Sequence, residues 1–216
     1  MSMSAAEEVL IVERIEDIFE EEVRELEKII PHHKNQKNLI VFYGSSTIRL
    51  WPGLKQDMDP LNVLNLGFGG SNFPACAHYF DRIFKTLTPT QMVVYAGDND
   101  LGNGHSIMRV FNDYRNLIDK IQTRYPGIQI HVISIKPSPN RAHLLPKTSE
   151  VNALMKRHIL SQKNGKWIEI LGKMITQDAK TIPELYVEDQ LHLNEKGYEI
   201  VRKVVKHHLF SNNQVI

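Results

Sequence analysis

Short apolar runs alternate with longer helix-forming stretches along most of this 216-residue chain. The apolar runs are rich in β-branched side chains, which is typical of strands that are buried on both faces. The predicted strands are Leu39–Tyr43, Val63–Leu66, Met92–Ala96, Ile128–Ile135 and Trp167–Ile170. The predicted helices are Pro74–Leu87, Ser106–Arg124, Thr148–Gln162 and Glu195–Phe210. Strands separated by helices of this length form a parallel sheet covered on both faces, so the sequence predicts an α/β fold.

The first thirty residues form an acidic segment with the pattern of an amphipathic helix. Apolar residues recur three or four positions apart and therefore share one helix face: Val12, Ile15, Phe19, Val23, Leu26 and Ile30. Ten acidic residues against three basic ones cover the rest of this segment, and Pro31 favours an end to the helix. We predict an N-terminal helix over residues 1–31 that packs on the body of the protein, and a main domain over residues 38–212. Exchange of the helix between subunits, and homo-oligomers in general, stay open.

Composition and charge argue against several classes of protein. The basic residues outside the acidic segment are dispersed and do not interleave with aromatic side chains, so nucleic acid is not an expected partner. No apolar run approaches the roughly 20 residues of a membrane-spanning helix, and the first residues lack the pattern of a signal peptide. The single cysteine, Cys76, cannot form an internal disulfide, so we expect a cytoplasmic protein in which Cys76 is a small core residue.

Small polar residues follow the first three predicted strands, at positions 44–46, 67–70 and 97–100. Because the carboxyl ends of parallel strands meet at one edge of a sheet, we expect these turns to lie close together. A serine in a turn such as that of Ser46 is most often a turn former, because its hydroxyl bonds to nearby backbone. It becomes a nucleophile only where an adjacent base removes its proton.

Among the ten histidines, His192 is the best candidate for such a base. It lies three residues after Asp189, a spacing that can bring both side chains together on one turn, and just before a helix that Asn194 is expected to cap. A carboxylate beside the imidazole orients the ring and stabilises its charged form. Considered alone, His192 is typical of a surface or capping histidine. Paired with Asp189 and a glycine-flanked serine, it indicates a catalytic site.

Acyl transfer also needs N–H donors where negative charge develops, each worth roughly 3 kcal/mol of barrier. Ser46 and Gly70 can offer backbone N–H groups, and Asn99 can offer its side-chain amide. Each residue taken separately is equally typical of an ordinary turn. Their predicted convergence at one sheet edge favours an oxyanion hole.

Four segments of the chain resemble the sequence blocks of the GDSL/SGNH hydrolases, in the family's order: Phe42–Trp51, Asn65–Asn72, Tyr95–Leu101 and Asp189–Gly197. The resemblance extends from about Leu39 to Phe210. It implies a three-layer α/β/α sandwich, the flavodoxin-like SGNH hydrolase fold with a parallel five-stranded sheet, and neither a metal nor an organic cofactor. It also implies ester hydrolysis through an acyl-enzyme, with Ser46 as nucleophile, His192 as base, Asp189 as acid, and Gly70 and Asn99 at the family's oxyanion positions.

One position departs from the family pattern. The family's usual Gly-Asp-Ser is Gly44-Ser45-Ser46 in this chain, so Ser45 replaces an aspartate. That aspartate is not the triad acid, and the mechanism therefore survives the change, whereas the support of the nucleophile turn can differ. The substitution also leaves Ser45 as a second candidate nucleophile.

Five further residues near these blocks are candidates for contacts with the substrate: Arg49, Trp51, Asn72, Asp98 and Arg141. Each has a structural reading as well. Trp51 is equally typical of the core. The loop Lys136–Arg141 follows the fourth strand and is expected to border the site, although it is equally typical of a rigid turn. Asp98 and Asp100 match no metal-binding motif.

The sequence thus predicts a serine hydrolase that cleaves carboxylic esters of small molecules, with short-chain acyl or acetyl esters favoured and esters of carbohydrates among them. A catalytically silent relative that only binds its ligand stays open, as do a lysophospholipase and a thioesterase of the same family. A nucleotide-binding domain is disfavoured, because the G-x-G-x-x-G fingerprint requires glycine at position 72, which is Asn72.

Overall fold

The computed structural model describes residues 18–213 of the chain. Within this range, five parallel strands form one sheet in the order β2-β1-β3-β4-β5. The strands are β1 (Ile40–Gly44), β2 (Val63–Gly67), β3 (Gln91–Tyr95), β4 (Gln129–Ile133) and β5 (Gly165–Ile168). This order is that of flavodoxin-like doubly wound sheets. The predicted fold class is confirmed.

Helices cover both faces of the sheet. Residues 18–29 form α1, the extra N-terminal helix. The other helices are α2 (Ser46–Arg49), α3 (Leu54–Asp57), α4 (Phe73–Ile83), α5 (Asp98–Gly102), α6 (Ile107–Arg124), α7 (Leu145–Ser161) and α8 (Glu195–Asn213). Short 3-10 turns lie at Ile30–His33, Pro139–Leu144, Leu171–Lys173 and Pro183–Leu185. No helix among the described residues is both long enough and apolar enough to cross a membrane.

Two apolar cores lie on opposite faces of the sheet. Successive side chains of a strand point to opposite faces, so Val41 and Tyr43 enter one core and Ile40 and Phe42 enter the other. The first core also contains buried residues of α1, α4, α6 and α7, and the second contains those of α3 and α8. All five residues of β1 are buried, as expected for a central parallel strand.

The ends of the helices differ more from the sequence prediction than those of the strands. The predicted helix to Leu87 ends at Ile83, and Leu87 is buried outside the helix, so its apolar character reflects the core. In contrast, α7 begins at Leu145, three residues earlier than predicted, because Pro146 fits the first helical turn, where a missing N–H costs nothing. The short helices α2, α3 and α5 have four or five residues and no detectable period.

The N-terminal helix packs on the body of the same chain. Phe19 and Val23 of the predicted apolar face are buried in the first core. On its polar side, Arg82 of α4 donates hydrogen bonds of 2.7–3.0 Å to the carboxylates of Glu20 and Glu27. The predicted stripe also includes Val12 and Ile15, which lie outside the described residues.

Cys76 is completely buried in α4. Burial raises the pKa of its thiol to about 12, because a thiolate would lose its hydration there. The side chain therefore stays protonated and acts as a small core residue, as the sequence suggests.

Candidate active site

The carboxyl ends of β1, β2 and β3 lie in one row at the edge of the sheet, where Gly44 is in register with Gly67 and with Tyr95. A Cβ atom at Gly44 would lie 1.8 Å from the carbonyl oxygen of Tyr95, and the φ angle of Gly44 is +140°. Only glycine fits such an approach and such a backbone angle. At Gly67, a Cβ atom would lie 2.4 Å from the backbone nitrogen of Arg49. Gly44 therefore lets the first block pack directly against the third, and Gly67 lets the second block pack directly against the first.

The two adjacent serines of the first block have different environments. Ser46 is the first residue of α2, and its Oγ lies 3.2 Å from Nε2 of His192, a residue 146 positions away in the chain. Ser45 is completely buried, and its Oγ has no hydrogen-bond partner among residues 18–213. Of the two hydroxyls, that of Ser46 reaches the histidine.

Asp189 holds the other side of the imidazole. Its Oδ2 lies 2.6 Å from Nδ1 of His192, while its Oδ1 accepts the backbone N–H groups of Leu191 and His192 at 2.8 and 2.9 Å. Burial acts to raise the pKa of Asp189, but the hydrogen bonds from the ring and backbone of His192 and from Leu191 outweigh it and hold the pKa at about 2. The carboxylate is therefore ionised at neutral pH and fixes the tautomer in which Nδ1 of His192 carries the proton.

The loop that carries the pair is tied to its surroundings by backbone hydrogen bonds. Asn140, from the segment after β4, donates its N–H to the carbonyl of Gln190 at 3.0 Å and its side-chain amide to the carbonyl of Asp189 at 3.2 Å. The N–H of Val187 donates to the carbonyl of His192 at 2.9 Å. Asn194 caps α8 as predicted, since its Oδ1 accepts an N–H of the first helical turn at 3.1 Å.

The second and third blocks bring the Gly70 turn and the Asn99 amide side by side. Gly70 is exposed and has a φ angle of +69°. The next residue, Ser71, accepts a hydrogen bond at its carbonyl from Nδ2 of Asn99, at 3.1 Å. Gly97 precedes α5 with a φ angle of +115°, and a Cβ atom there would lie 2.5 Å from Cδ1 of Ile135. Glycine at this position therefore allows the chain to turn sharply enough to place Asn99 beside the second block.

The sequence profile of the family described as GDSL-like Lipase/Acylhydrolase matches residues 41–200. The match includes all four blocks and most of the chain. This chain belongs to that family. Hydrolysis is therefore the reaction class that the family supports. Comparison with curated proteins finds no sequence match.

Solved structures show the fold that the GDSL-like family shares. A Streptococcus pneumoniae protein described as a candidate platelet activating factor is 19% identical, with a TM-score of 0.78, over 95% of this chain and 100% of that chain. A GDSL-like lipase from Bacteroides thetaiotaomicron is 17% identical, with a TM-score of 0.72, over 88% and 99% of the two chains. The psychrotrophic esterase EstA from Pseudoalteromonas sp. is 16% identical, with a TM-score of 0.65, over 82% and 100%.

At the position where the GDSL-like family usually has an aspartate, the backbone of Ser45 makes the structural contact. Its N–H donates to the carbonyl of Tyr95 at 2.9 Å and so ties the turn that precedes Ser46 to β3. The side chain of Ser45 adds no hydrogen bond among the described residues. Support for the turn therefore comes from the main chain and from the glycine at position 44.

Three of the residues predicted to contact substrate lie in the first two blocks and have distinct surroundings. Arg49 is half-exposed and lies 3.5 Å from the carboxylate of Glu22 in α1. Trp51 is buried, and its Nε1 donates to Asp57 at 2.7 Å. Asn72 caps α4, since its Oδ1 accepts a backbone N–H of the first turn at 2.9 Å. Of the three, Arg49 has the side chain that is open to solvent.

The other two predicted contact residues, Asp98 and Arg141, bind each other. The guanidinium of Arg141 donates to the backbone carbonyl of Asp98 at 2.8 Å and lies 3.7 Å from its carboxylate. The same carboxylate lies 3.4 Å from the ammonium of Lys136. Lys136 and Asn140 are not among the individually predicted site residues, although both belong to the loop Lys136–Arg141 that the sequence analysis names. The sequence does contain one indication that Lys136 is unusual. It directly follows an apolar strand, which places a charged side chain where the chain is still buried.

One group of possible metal ligands occurs among residues 18–213. Oxygen or nitrogen atoms of Asp100, His105 and Asp113 lie within 4.8 Å of one another. However, Asp113 is paired with Arg109 at 2.7 Å, and Asp100 accepts the backbone N–H of Phe73 at the start of α4. Burial raises the pKa of Asp100 to about 7, which weakens it as a ligand. These contacts favour a structural role for the group.

A cavity of about 510 Å³ adjoins the segments that follow Ser46 and His192. Its walls combine apolar and charged side chains, among them Leu50, Leu193, Tyr198, Glu195, Glu199 and Arg202. None of Ser46, Gly70, Asn99, Asp189 and His192 belongs to its lining.

Proposed function

We propose that this protein hydrolyses carboxylic esters through an acyl-enzyme, with Ser46 as nucleophile, His192 as general base and Asp189 as the orienting acid. The observation that carries the proposal is the unbroken hydrogen-bonded chain from Ser46 Oγ through both ring nitrogens of His192 to Asp189, at 3.2 and 2.6 Å. An imidazole in this position can remove the serine proton as the oxygen attacks a carbonyl carbon. Membership of the GDSL-like Lipase/Acylhydrolase family supports hydrolysis as the reaction class.

The reaction proceeds in two halves. Nε2 of His192 takes the proton of Ser46 during attack, and Asp189 stabilises the imidazolium that forms. The N–H groups of Ser46 and Gly70, together with the Asn99 amide, stabilise the oxyanion. His192 then protonates the departing alcohol, activates water and releases the acid. Because protein groups supply every step, no cofactor is expected.

The preferred substrate is an ester of a short acyl chain, such as acetate, with a polar alcohol. The apolar side chains Ile48, Phe68 and Phe73, which lie within three residues of Ser46 or Gly70, are completely buried in the cores, whereas Leu191 beside His192 is partly exposed. A short acyl chain needs little apolar surface of this kind. A polar alcohol such as a carbohydrate is the expected partner, because the side chains that surround Ser46 and His192 include charged and amide groups such as Asp189 and Asn99.

Labelling with a fluorophosphonate tests the assignment of the nucleophile. The probe reacts with an activated serine, and mass mapping of the digested protein locates the adduct; the EstA structure is itself described as inhibited by monoethylphosphonate. We expect the adduct on Ser46, its loss in Ser46→Ala and its retention in Ser45→Ala. An adduct on Ser45 would contradict the assignment, and absence of any adduct would favour a silent binding protein.

A panel of esters tests the substrate class. We expect kcat/KM to fall as the acyl chain lengthens from acetyl to decanoyl, and an acetylated sugar to be a better substrate than a lysophospholipid or an acyl thioester. Ser46→Ala serves as the blank for each compound. A kcat/KM that is highest for long acyl chains or for the thioester would contradict the proposed substrate class. It would not affect the assignment of Ser46 as nucleophile.

A further inference from the structure

Behind the Asn99 turn, three charged side chains come together in the interior. Lys136 and Asp98 are almost completely buried, and Arg141 is about four-fifths buried. The carboxylate of Asp98 is shared between the two cations, at 3.4 Å from Lys136 Nζ and 3.7 Å from Arg141 Nη1. Buried charges are costly unless they are paired and hydrogen-bonded, and here each cation also donates to a backbone carbonyl.

Arg141 holds both the backbone and the side chain of α5. Its Nη1 donates to the backbone carbonyl of Asp98 at 2.8 Å, and its Nη2 donates to Oδ1 of Asn99 at 3.1 Å. A Cβ atom at Gly102 would lie 2.6 Å from the guanidinium carbon, so the planar group sits directly against the turn of α5. The flat, two-pronged guanidinium fits this pair of acceptors, whereas a single ammonium group cannot reach both along parallel bonds.

The contact with Arg141 determines which way the Asn99 amide points. A guanidinium has donors and no acceptor, so the atom of Asn99 that faces Arg141 must be the oxygen. The nitrogen of the amide is then directed to the opposite side, where it donates to the carbonyl of Ser71 at 3.1 Å. An amide nitrogen carries two hydrogens, and the one that Ser71 does not bind is available to an oxyanion. A reversed amide would present oxygen there and repel the negative charge.

The same cluster also reaches the loop of the general base. Lys136 Nζ donates to the carbonyl of Leu191, the residue before His192, at 2.8 Å. Through the shared carboxylate of Asp98, Arg141 is therefore linked to the two segments that carry Asn99 and His192.

An alternative role for the two cations would be to bind an anionic part of the substrate. The cavity that they line together with Ser138 and Thr148 is about 10 Å³, which is room for about one water molecule. A carboxylate or a phosphate does not fit. Both terminal nitrogens of Arg141 also donate to protein acceptors, and these two facts favour a positioning role over substrate binding.

We propose that Arg141 is a positioning residue that orients the Asn99 amide for oxyanion stabilisation. The inference rests on the proposed function, because it assigns Arg141 a part in the same reaction. It acts through Asn99 and does not itself contact the substrate.

A double-mutant cycle on kcat tests the coupling. Asn99→Ala is expected to lower kcat by about 10²–10³-fold, as for the loss of one oxyanion donor, and Arg141→Ala by about 10-fold or more with little change in KM. In the Asn99→Ala background, Arg141→Ala should have no further effect. Equal losses in both backgrounds would overturn the proposal.

Two further arginine variants separate geometry from charge and from general stability. Arg141→Lys keeps a cation beside Asp98 and should fold normally, yet it should still lose several-fold in kcat because the ammonium cannot hold both acceptors. Arg124 offers a matched control, since its guanidinium also donates to two backbone carbonyls, those of Phe84 and Lys85, at 3.0 and 2.9 Å. Arg124→Ala should leave kcat unchanged. Full activity in Arg141→Lys would contradict the geometric role.

A measurement that does not depend on turnover separates this proposal from the proposed function. The side-chain N–H pair of Asn99, identified in a ¹H–¹⁵N spectrum by its absence in Asn99→Ala, should shift or broaden in Arg141→Ala and stay in place in Arg124→Ala. Unchanged Asn99 resonances in Arg141→Ala would refute the positioning role. If the wild type neither reacts with fluorophosphonate nor hydrolyses esters, the proposed function fails, and this spectrum still decides whether Arg141 orients the amide.

Discussion

The phenol of Tyr198 donates a hydrogen bond of 3.1 Å to the backbone carbonyl of Thr47, the residue that follows Ser46. Both residues are buried, and the Tyr198 ring also packs against Trp51 with 5.9 Å between ring centroids. The bond joins α8, which begins just after His192, to α2, which begins at Ser46. The two segments that supply the proposed nucleophile and base are thus fastened to each other outside the triad.

Tyr198→Phe should lower both stability and nucleophile reactivity. The variant leaves the buried carbonyl of Thr47 without its donor, which costs about 1–3 kcal/mol of unfolding free energy. We also expect slower fluorophosphonate labelling of Ser46, because the nucleophile turn is less firmly held. Tyr125→Phe removes comparable bonds to the carbonyls of Phe84 and Leu87 and should lower stability alone. Equal labelling rates in both variants would rule out the link to Ser46.

Asp189→Asn should remove most turnover while leaving the fold intact. The amide can donate to the ring and so favours the wrong tautomer of His192, and we expect kcat to fall by about 10²–10⁴-fold. Steady-state hydrolysis of a short-chain ester by the purified variant measures the loss, and circular dichroism verifies the fold. Wild-type kcat in the folded variant would exclude Asp189 as the triad acid.

The same substitution should change how stability depends on pH. The pKa of Asp189 falls from 3.8 to about 2 on folding, so its ionised form stabilises the folded state at pH values above about 4. This stabilisation is lost as the pH falls from there towards 2. The difference in unfolding free energy between wild type and Asp189→Asn, measured by urea titration, should be constant near neutral pH and shrink below about pH 4. A difference that grows on acidification would contradict the lowered pKa.

Arg82→Ala should loosen the N-terminal helix. Arg82 donates four hydrogen bonds to Glu20 and Glu27 of α1, and all three side chains are partly solvated, so we expect a loss of about 1 kcal/mol in unfolding free energy. Hydrogen exchange of the α1 amides should accelerate. Arg24→Ala is the matched control, since Arg24 contacts Glu20 within α1 alone. Faster exchange in the control and not in Arg82→Ala would contradict this anchoring.

Lys136→Met should be strongly destabilising. It leaves the buried carboxylate of Asp98 with the more distant Arg141, and breaking a buried pair costs about 3–5 kcal/mol. Adding Asp98→Asn to the Lys136→Met variant should recover part of the lost unfolding free energy, which chemical denaturation measures. Lys120→Met gives the comparison for an exposed pair, because Lys120 also contacts an aspartate and a carbonyl. Its cost should stay below about 1 kcal/mol.

Some features of the site follow from local sequence. The three-residue spacing of Asp189 and His192 permits one turn to hold both side chains, and their 2.6 Å contact agrees with that expectation. The turns after the first three strands had to meet, because parallel strands end at the same edge of a sheet. The catalytic roles of these residues stay predictions. The helix predicted over Pro74–Leu87 ends at Ile83. The prediction that it reaches Leu87 is wrong, because an apolar residue can be buried without being helical.

The sequence by itself determined the α/β class, the five strands and the family, because these depend on periodicity and on short blocks that can be recognised one at a time. Tertiary structure alone decided the partners of Arg82 and the burial of Lys136 between Asp98 and the carbonyl of Leu191. The physical reason is that burial and pairing of a charge depend on which distant segments pack around it. The residues next to Lys136 do not indicate that its counter-charge, Asp98, lies 38 positions away in the chain.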